Sequence, residues 1–249
     1  MIALNNIHVI FNKGTQIENH ALKGLNLQIQ GGEFITVIGG NGAGKSTLMS
    51  VITGELIPTS GTLSIQGEDC TYKGTVQRSG QVARIFQDPM VGTFSHLSIL
   101  ENLAIAKKRG QVRSLNKAIN KTDYSYFKDK LKMLDMGLEK RLEDRVSLLS
   151  GGQRQALSLV MATLLEAQIL ILDEHTAALD PKTARLILDL TREIVEESKM
   201  TTLMVTHSMH QALDFGTRTL LMKQGEVLQD LDNEKRKLLT QTDLLSFFD

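Results

Sequence analysis

The densest run of residues able to do chemistry is Gly39-Gly40-Asn41-Gly42-Ala43-Gly44-Lys45-Ser46-Thr47. It fits G-x-x-x-x-G-K-[ST], follows the apolar run Phe34 to Ile38 and precedes the helical run Thr47 to Thr53. Glycines let such a loop wrap around phosphate oxygens with its backbone N–H groups pointing inward, and the following helix adds its positive end. Lys45 is placed to reach the outer phosphates, and the Ser46 hydroxyl to ligate Mg²⁺. A phosphate loop of this kind needs a carboxylate near the metal. Ile169-Leu170-Ile171-Leu172-Asp173-Glu174 supplies one at the carboxyl end of a second apolar strand, where α/β sheets hold their ligands. Asp173 is placed to hold Mg²⁺, usually through water, and Glu174 to polarise an attacking water. A third string, Leu149-Ser150-Gly151-Gly152-Gln153, opens a helical run from Ala156 to Leu165. Ser150 reads as its N-cap, and the glycines leave backbone N–H groups bare, which makes a second anion site. One loop already surrounds the phosphates, so a second serves only by closing over them from the far side.

The elements that must position these residues follow from hydrophobic periodicity. Ile2 to Phe11, Leu25 to Ile29 and Thr62 to Gln66 alternate and predict a small antiparallel layer. Phe34 to Ile38, Val82 to Phe86, Ile169 to Leu172 and Thr202 to Val205 are short and almost continuously apolar, as in a parallel sheet covered on both faces. Helices are predicted from about Ser98 to Leu165, with a polar middle from Lys107 to Lys121, as a lobe inserted between strands of one sheet. A hairpin turning at Gln224-Gly225 and a polar helical tail close the chain. The predicted fold is α/β: a mostly parallel core sheet, a small antiparallel β layer on the N-terminal side and an inserted α-helical lobe. The whole chain, 1–249, reads as one domain. Its core occupies 1–87 and 166–230, the lobe 88–165 and the tail 231–249.

Composition excludes several classes. With 28 Lys+Arg against 28 Asp+Glu in 249 residues, the chain lacks the basic excess that holds nucleic acid, and no nucleic-acid partner is expected. The single Cys70 cannot form an intrachain disulfide and reads as a small filler, and the scattered histidines show no zinc spacing. The N-terminus has no signal-peptide pattern and no apolar run is long enough to span a bilayer, so a cytoplasmic protein is expected. Neither a repeat nor a low-complexity linker divides the chain.

A GTPase is the first alternative, because Asn120-Lys121-Thr122-Asp123 matches the guanine-reading N-K-x-D pattern. That motif should close a buried strand, whereas Ser114 to Ile119 is polar and uneven, and no D-x-x-G occurs. With a phosphate loop on one side and Asp173-Glu174 on the other, Leu149 to Gln153 instead resembles the signature motif of the ATP-binding cassette (ABC) family, LSGGQ. The resemblance covers essentially the whole chain. It implies a P-loop ATPase core that binds ATP and Mg²⁺, with Ser150, Gly151, Gly152 and Gln153 acting across a head-to-tail dimer. It further implies that Phe11 stacks on adenine, that Gln87 reaches the metal and the terminal phosphate, that Asp180 in Ala178-Leu179-Asp180 belongs to the D-loop, and that His207 is the switch histidine. Gln87, Glu174 and His207 would be the catalytic group; Ser46, Gln87 and Asp173 would hold the metal.

Two positions depart from the family pattern: Ala167 and His175 stand where proline is usual. His175 is expected to fill its loop rather than act as a second base. The string Leu172 to Pro181 resembles a subgroup serving bacterial uptake systems with a separate substrate-binding protein, some of them for amino acids. The resemblance therefore implies an ATPase subunit on the inner face of the membrane, homodimeric and bound to an integral permease. A groove beside Gln87, lined by Phe94 and Leu97, is expected to receive a short helix of that permease. A soluble ABC ATPase acting on DNA or ribosomes is the runner-up. It is disfavoured because no long heptad-rich insertion separates Lys45 from Leu149, and because the chain holds one cassette. Ending soon after Leu228, the chain is expected to carry no C-terminal regulatory domain.

Overall fold

The computed structural model describes residues 1–111, 119–165 and 167–247. The centre of the lobe's expected polar stretch (112–118), position 166 at its boundary and the last two residues of the tail lie outside them.

The chain runs β1 (Ile2–Phe11), β2 (Asn19–Ile29), β3 (Phe34–Gly39), α1 (Lys45–Thr53), β4 (Ser60–Ile65), β5 (Glu68–Asp69), α2 (Thr75–Arg78) and β6 (Val82–Ile85). The helices α3 (Ile99–Lys107), α4 (Lys121–Lys132) and α5 (Gly151–Thr163) follow. Then come β7 (Ile169–Asp173), α6 (Pro181–Ser198), β8 (Thr201–Val205), α7 (Met209–Asp214), β9 (Arg218–Lys223), β10 (Glu226–Leu231), α8 (Asn233–Lys237) and α9 (Gln241–Ser246). One sheet has the order β10-β9-β3-β8-β7-β6, parallel except for the β9–β10 hairpin; the other, β2-β1-β4-β5, is antiparallel.

The apolar strands are buried on both faces, and successive side chains go to different cores. In β7, Ile169 and Ile171 pack with α1 and the antiparallel sheet, whereas Leu170 and Leu172 pack with α3, α5 and α6. This register carries Gly39, Ile85, Asp173 and Val205 to the same edge, the carboxyl ends of β3, β6, β7 and β8. The chemistry-bearing residues lie on the loops that leave that edge.

The β9–β10 turn is at Gln224-Gly225, both left-handed (φ 53° and 87°), as a tight hairpin requires. The other hairpin corrects the sequence reading. β2 starts at Asn19 rather than Leu25 and pairs with β1 up to Phe11↔Asn19, so the loop after Phe11 is confined to residues 12–18. Asn19, His20, Lys23 and Asn26 concealed the alternation. Asn120-Lys121-Thr122-Asp123 begins α4: Asp123 accepts a hydrogen bond from the Asn120 backbone N–H (2.7 Å) and another from Lys107 Nζ (2.6 Å). Its carboxylate is spent on capping a helix and closing the lobe. Among the described residues no helix is long and apolar enough to cross a membrane.

Candidate active site

The turn from β3 into α1 carries four glycines, and three of them are required by contact or conformation. A Cβ on Gly39 would lie 2.5 Å from the Met222 carbonyl oxygen and 2.9 Å from Ala43 Cβ; one on Gly44 would lie 2.7 Å from the Ala21 oxygen. Those two are demanded by backbones packed against the loop. Gly42 adopts φ 76°, which disfavours a side chain, yet has open space beside it. Gly40 is required by neither contact nor conformation, since nothing lies within 4 Å of its Cβ position. The loop thus keeps an open, side-chain-free face at Gly40 and Gly42, the kind of surface a phosphate chain needs.

Lys45 is buried at the start of α1 and donates to the carbonyl oxygens of Gly39 (2.7 Å) and Gly40 (3.1 Å). Burial pulls its ammonium below the usual lysine pKa, and the charges of Glu174 and Asp173 oppose that shift. Ser46 is exposed on the wall of a cleft of about 240 Å³. Phe11, Asn41 to Thr47, Glu174 and His207 line it as well. Phe11, 39% exposed, stands at the end of β1 beside the loop.

Across the cleft, Glu174 leaves β7 in a left-handed conformation, φ 47°, with its backbone N–H bonded to the Val205 carbonyl (3.1 Å). This turn aims its carboxylate at His207, whose Nε2 lies 2.6 Å from Glu174 Oε1. His207 follows β8 and stays half exposed, so a ligand can reach it. Asp173, the last residue of β7, is held differently: its Oδ2 accepts from an Arg84 terminal nitrogen at 2.6 Å. Arg84 was missed in the sequence reading. The signal was a charged residue inside the apolar strand run Val82 to Phe86.

Neither Asp173 nor the remaining expected residues line this cleft. Ser150 caps α5: the Gln153 backbone N–H donates to Ser150 Oγ (3.2 Å), and the Ser150 N–H donates to Gln153 Oε1 (3.2 Å). Gly152 lets α5 approach α6, since a Cβ there would sit 2.2 Å from Thr183 Cγ2, whereas at Gly151 the nearest atom is 3.7 Å away. Asp180 caps α6 by accepting from the Thr183 N–H (3.1 Å). Gln87 is exposed just beyond β6. None of Ser150 to Gln153, Gln87 or Asp180 lines the cleft. The single chain gathers the phosphate loop, Phe11, Glu174 and His207 around the cleft, and the LSGGQ helix start lies outside it.

His175 is almost wholly buried, and its Nε2 lies 3.1 Å from Thr191 Oγ1, which itself donates to the Ile187 carbonyl at 2.7 Å. The threonine proton is thus engaged, so His175 Nε2–H is the donor. Burial lowers its pKa to about 4. It packs the loop, as expected of a residue replacing proline. Ala167, the other departure, is buried ahead of β7.

A family model described as ABC transporter matches residues 22–177. The Tyrosine transport ATP-binding protein of Clostridioides difficile is 38% identical over 250 residues, covering all of this chain and 99% of that protein. The Energy-coupling factor transporter ATP-binding protein EcfA2 of Acetivibrio thermocellus is 33% identical, over 91% of this chain and 78% of its own length. Among solved structures, the dimeric post-hydrolysis state of the ATP-binding cassette MJ0796 bound to ADP and Pi superposes with a TM-score of 0.79 at 28% identity. That match covers 94% of this chain and 99% of the other.

Proposed function

The chain belongs to the ABC transporter ATP-binding family and is an ATP-binding, ATP-hydrolysing transporter subunit; from this premise we propose that two copies close head to tail over two ATP molecules and drive a separate integral membrane permease. The observation carrying this reading is the half-built site. The cleft collects the phosphate loop, Glu174 and His207, whereas the bare helix start at Ser150 to Gln153 belongs to another face. A second copy, turned head to tail, supplies what each cleft lacks. The relative solved as a dimer with ADP and Pi supports this arrangement.

In each site Lys45 exchanges the Gly39 and Gly40 carbonyls for phosphate oxygens, and the N–H groups of Gly40 to Thr47 surround the phosphate chain. Phe11 offers its ring to the adenine. Mg²⁺ fits the donors present: Ser46 is an exposed hydroxyl on the cleft wall, and Asp173 is an ionisable carboxylate whose Oδ1 has no protein hydrogen bond among the described residues. Both are hard oxygen ligands of the kind Mg²⁺ takes. The ion would neutralise charge on the departing phosphate oxygens, with Gln87 brought in on closure. Glu174, held by His207, accepts a hydrogen bond from the attacking water and draws off its proton as the bond to the terminal phosphorus forms and the bond from that phosphorus to the bridging oxygen breaks, its electron pair leaving with ADP. Asp180 and Ser150 to Gln153 act from the partner copy.

The working cassette is a single domain, with the lobe 88–165 carrying the signature and 231–249 as its C-terminal tail. It sits peripherally on the inner face of the membrane. A groove of about 1160 Å³ between Phe86, Phe94, Ile105 and Met161 receives a short permease helix. The tyrosine transport relative supports an amino acid as the transported substrate, and the likeness of Leu172 to Pro181 to uptake systems supports its delivery by a separate substrate-binding protein.

The test is Glu174→Gln. ATP binding should survive, hydrolysis should fall at least about a hundredfold, and the variant should elute as a dimer with Mg-ATP but not with ADP. Hydrolysis at the parent rate would remove Glu174 from catalysis.

A further inference from the structure

Asp173 does not stand alone at the end of β7. Arg84, on the neighbouring strand β6, splits its guanidinium between two carboxylates: one terminal nitrogen reaches Asp173 Oδ2 at 2.6 Å, and the other pairs with Glu55, just beyond α1. Ser50, in α1, donates to the same Glu55 oxygen at 3.1 Å. The guanidinium carbon lies 4.9 Å from the centre of the Phe86 ring, and the side chain is only 11% exposed. Its Nε is buried without a hydrogen bond, so the fork is held through its two ends alone.

Two consequences follow. Rotation of the Asp173 carboxylate is blocked, because Oδ2 is tied to a planar donor wedged against an aromatic face. One guanidinium between two carboxylates leaves the trio with one net negative charge, whereas Arg84 with Asp173 alone would be neutral and would repel a cation as much as attract it.

Building on the reading of Asp173 as a metal-holding residue, we propose that Arg84 is a positioning residue that orients Asp173 toward the Mg²⁺ of the bound nucleotide, and that Glu55 keeps this pair negative. Groups that orient a metal ligand typically account for 10–100-fold in metal affinity.

The experiment titrates Mg²⁺ into the purified 249-residue chain with a fluorescent ATP analogue, reading the half-point of the metal-dependent signal, and measures analogue affinity separately in EDTA. Arg84→Met and Glu55→Gln should each raise the Mg²⁺ half-point by roughly tenfold while leaving the EDTA affinity unchanged. Arg84→Lys, which keeps the charge but not the fork, should fall between them and the parent. A half-point that stays put or drops in Arg84→Met overturns the proposal, a drop meaning that the arginine competes with the metal. So does an unchanged half-point in Glu55→Gln, whose partly exposed site keeps that variant informative even if Arg84→Met fails to fold. Asp173→Asn separates the two levels. If it leaves the half-point alone, the assignment of Asp173 fails; if it shifts the half-point and the Arg84 and Glu55 variants do not, only the present inference fails.

Discussion

Glu174 and His175 are adjacent in the chain and face opposite ways, one toward the cleft and His207, the other into the core against Thr191. The left-handed turn at Glu174 makes that division, and it gives the two residues different behaviour toward protons. Buried His175 has a pKa near 4 in the native protein, below its ordinary 6.5. As pH falls below 6.5 the unfolded chain takes up a proton that the folded chain refuses until about pH 4. Stability associated with His175 is therefore complete above pH 6.5 and is lost progressively toward pH 4, by about 2 kcal/mol between pH 7 and pH 5. Urea unfolding of His175→Gln at the two pH values should show a loss smaller than the parent's by that amount. An equal loss in both proteins would place the pH sensitivity elsewhere.

At the scale of elements, the LSGGQ string has a packing role that its anion-binding pattern did not announce. Ser150 and Gln153 cap α5 reciprocally, while Gly152 is the point at which α5 meets α6. Gly152→Ala drives a methyl group into Thr183, a β-branched residue in the first turn of α6 with little room to turn away. The expected cost is about 2 kcal/mol, or roughly 4–8 °C in Tm. Gly151→Ala, with only ordinary contacts, should melt close to the parent in the same calorimetric scan. Equal melting of all three proteins would show that the helices absorb the methyl group. Asn120 to Asp123 gives the opposite lesson. There, the letters of a guanine-reading motif are satisfied by a helix cap, because the carboxylate already accepts from the Asn120 N–H and Lys107.

For the whole molecule, a groove of about 1160 Å³ opens between the β6 exit and the helices α3 and α5. It begins one residue from Gln87 and is lined by exposed Phe94 and Ile105. Exposed apolar side chains grouped at a groove mark a binding surface more often than isolated ones do. Phe94 is 47% exposed, but Leu97 is half-buried and its carbonyl receives the Val146 N–H at 3.0 Å, so Phe94 carries the cleaner test. With Phe94→Glu, copurification of the permease should fall at least about tenfold, with Tm and ATP binding by the isolated subunit unchanged. Undiminished copurification would exclude this groove as the docking site.

The amino-acid sequence alone determined the order and type of the main elements, the phosphate loop, the acidic strand end and the second helix start. Each depends on short-range rules: an apolar run of strand length, glycines at a turn, a cap three residues before its partner. Only the tertiary structure decided which of these residues meet. Glu174 finds His207 because β7 and β8 are neighbours in register, a pairing between positions 33 residues apart that local pattern does not encode. Arg84 reaches Asp173 and Glu55 because β6 lies against β7 and α1 packs above them. The long β1–β2 hairpin was hidden for a related reason. Its polar outer face follows from exposure of one side of the antiparallel layer, which is settled by what packs on the other.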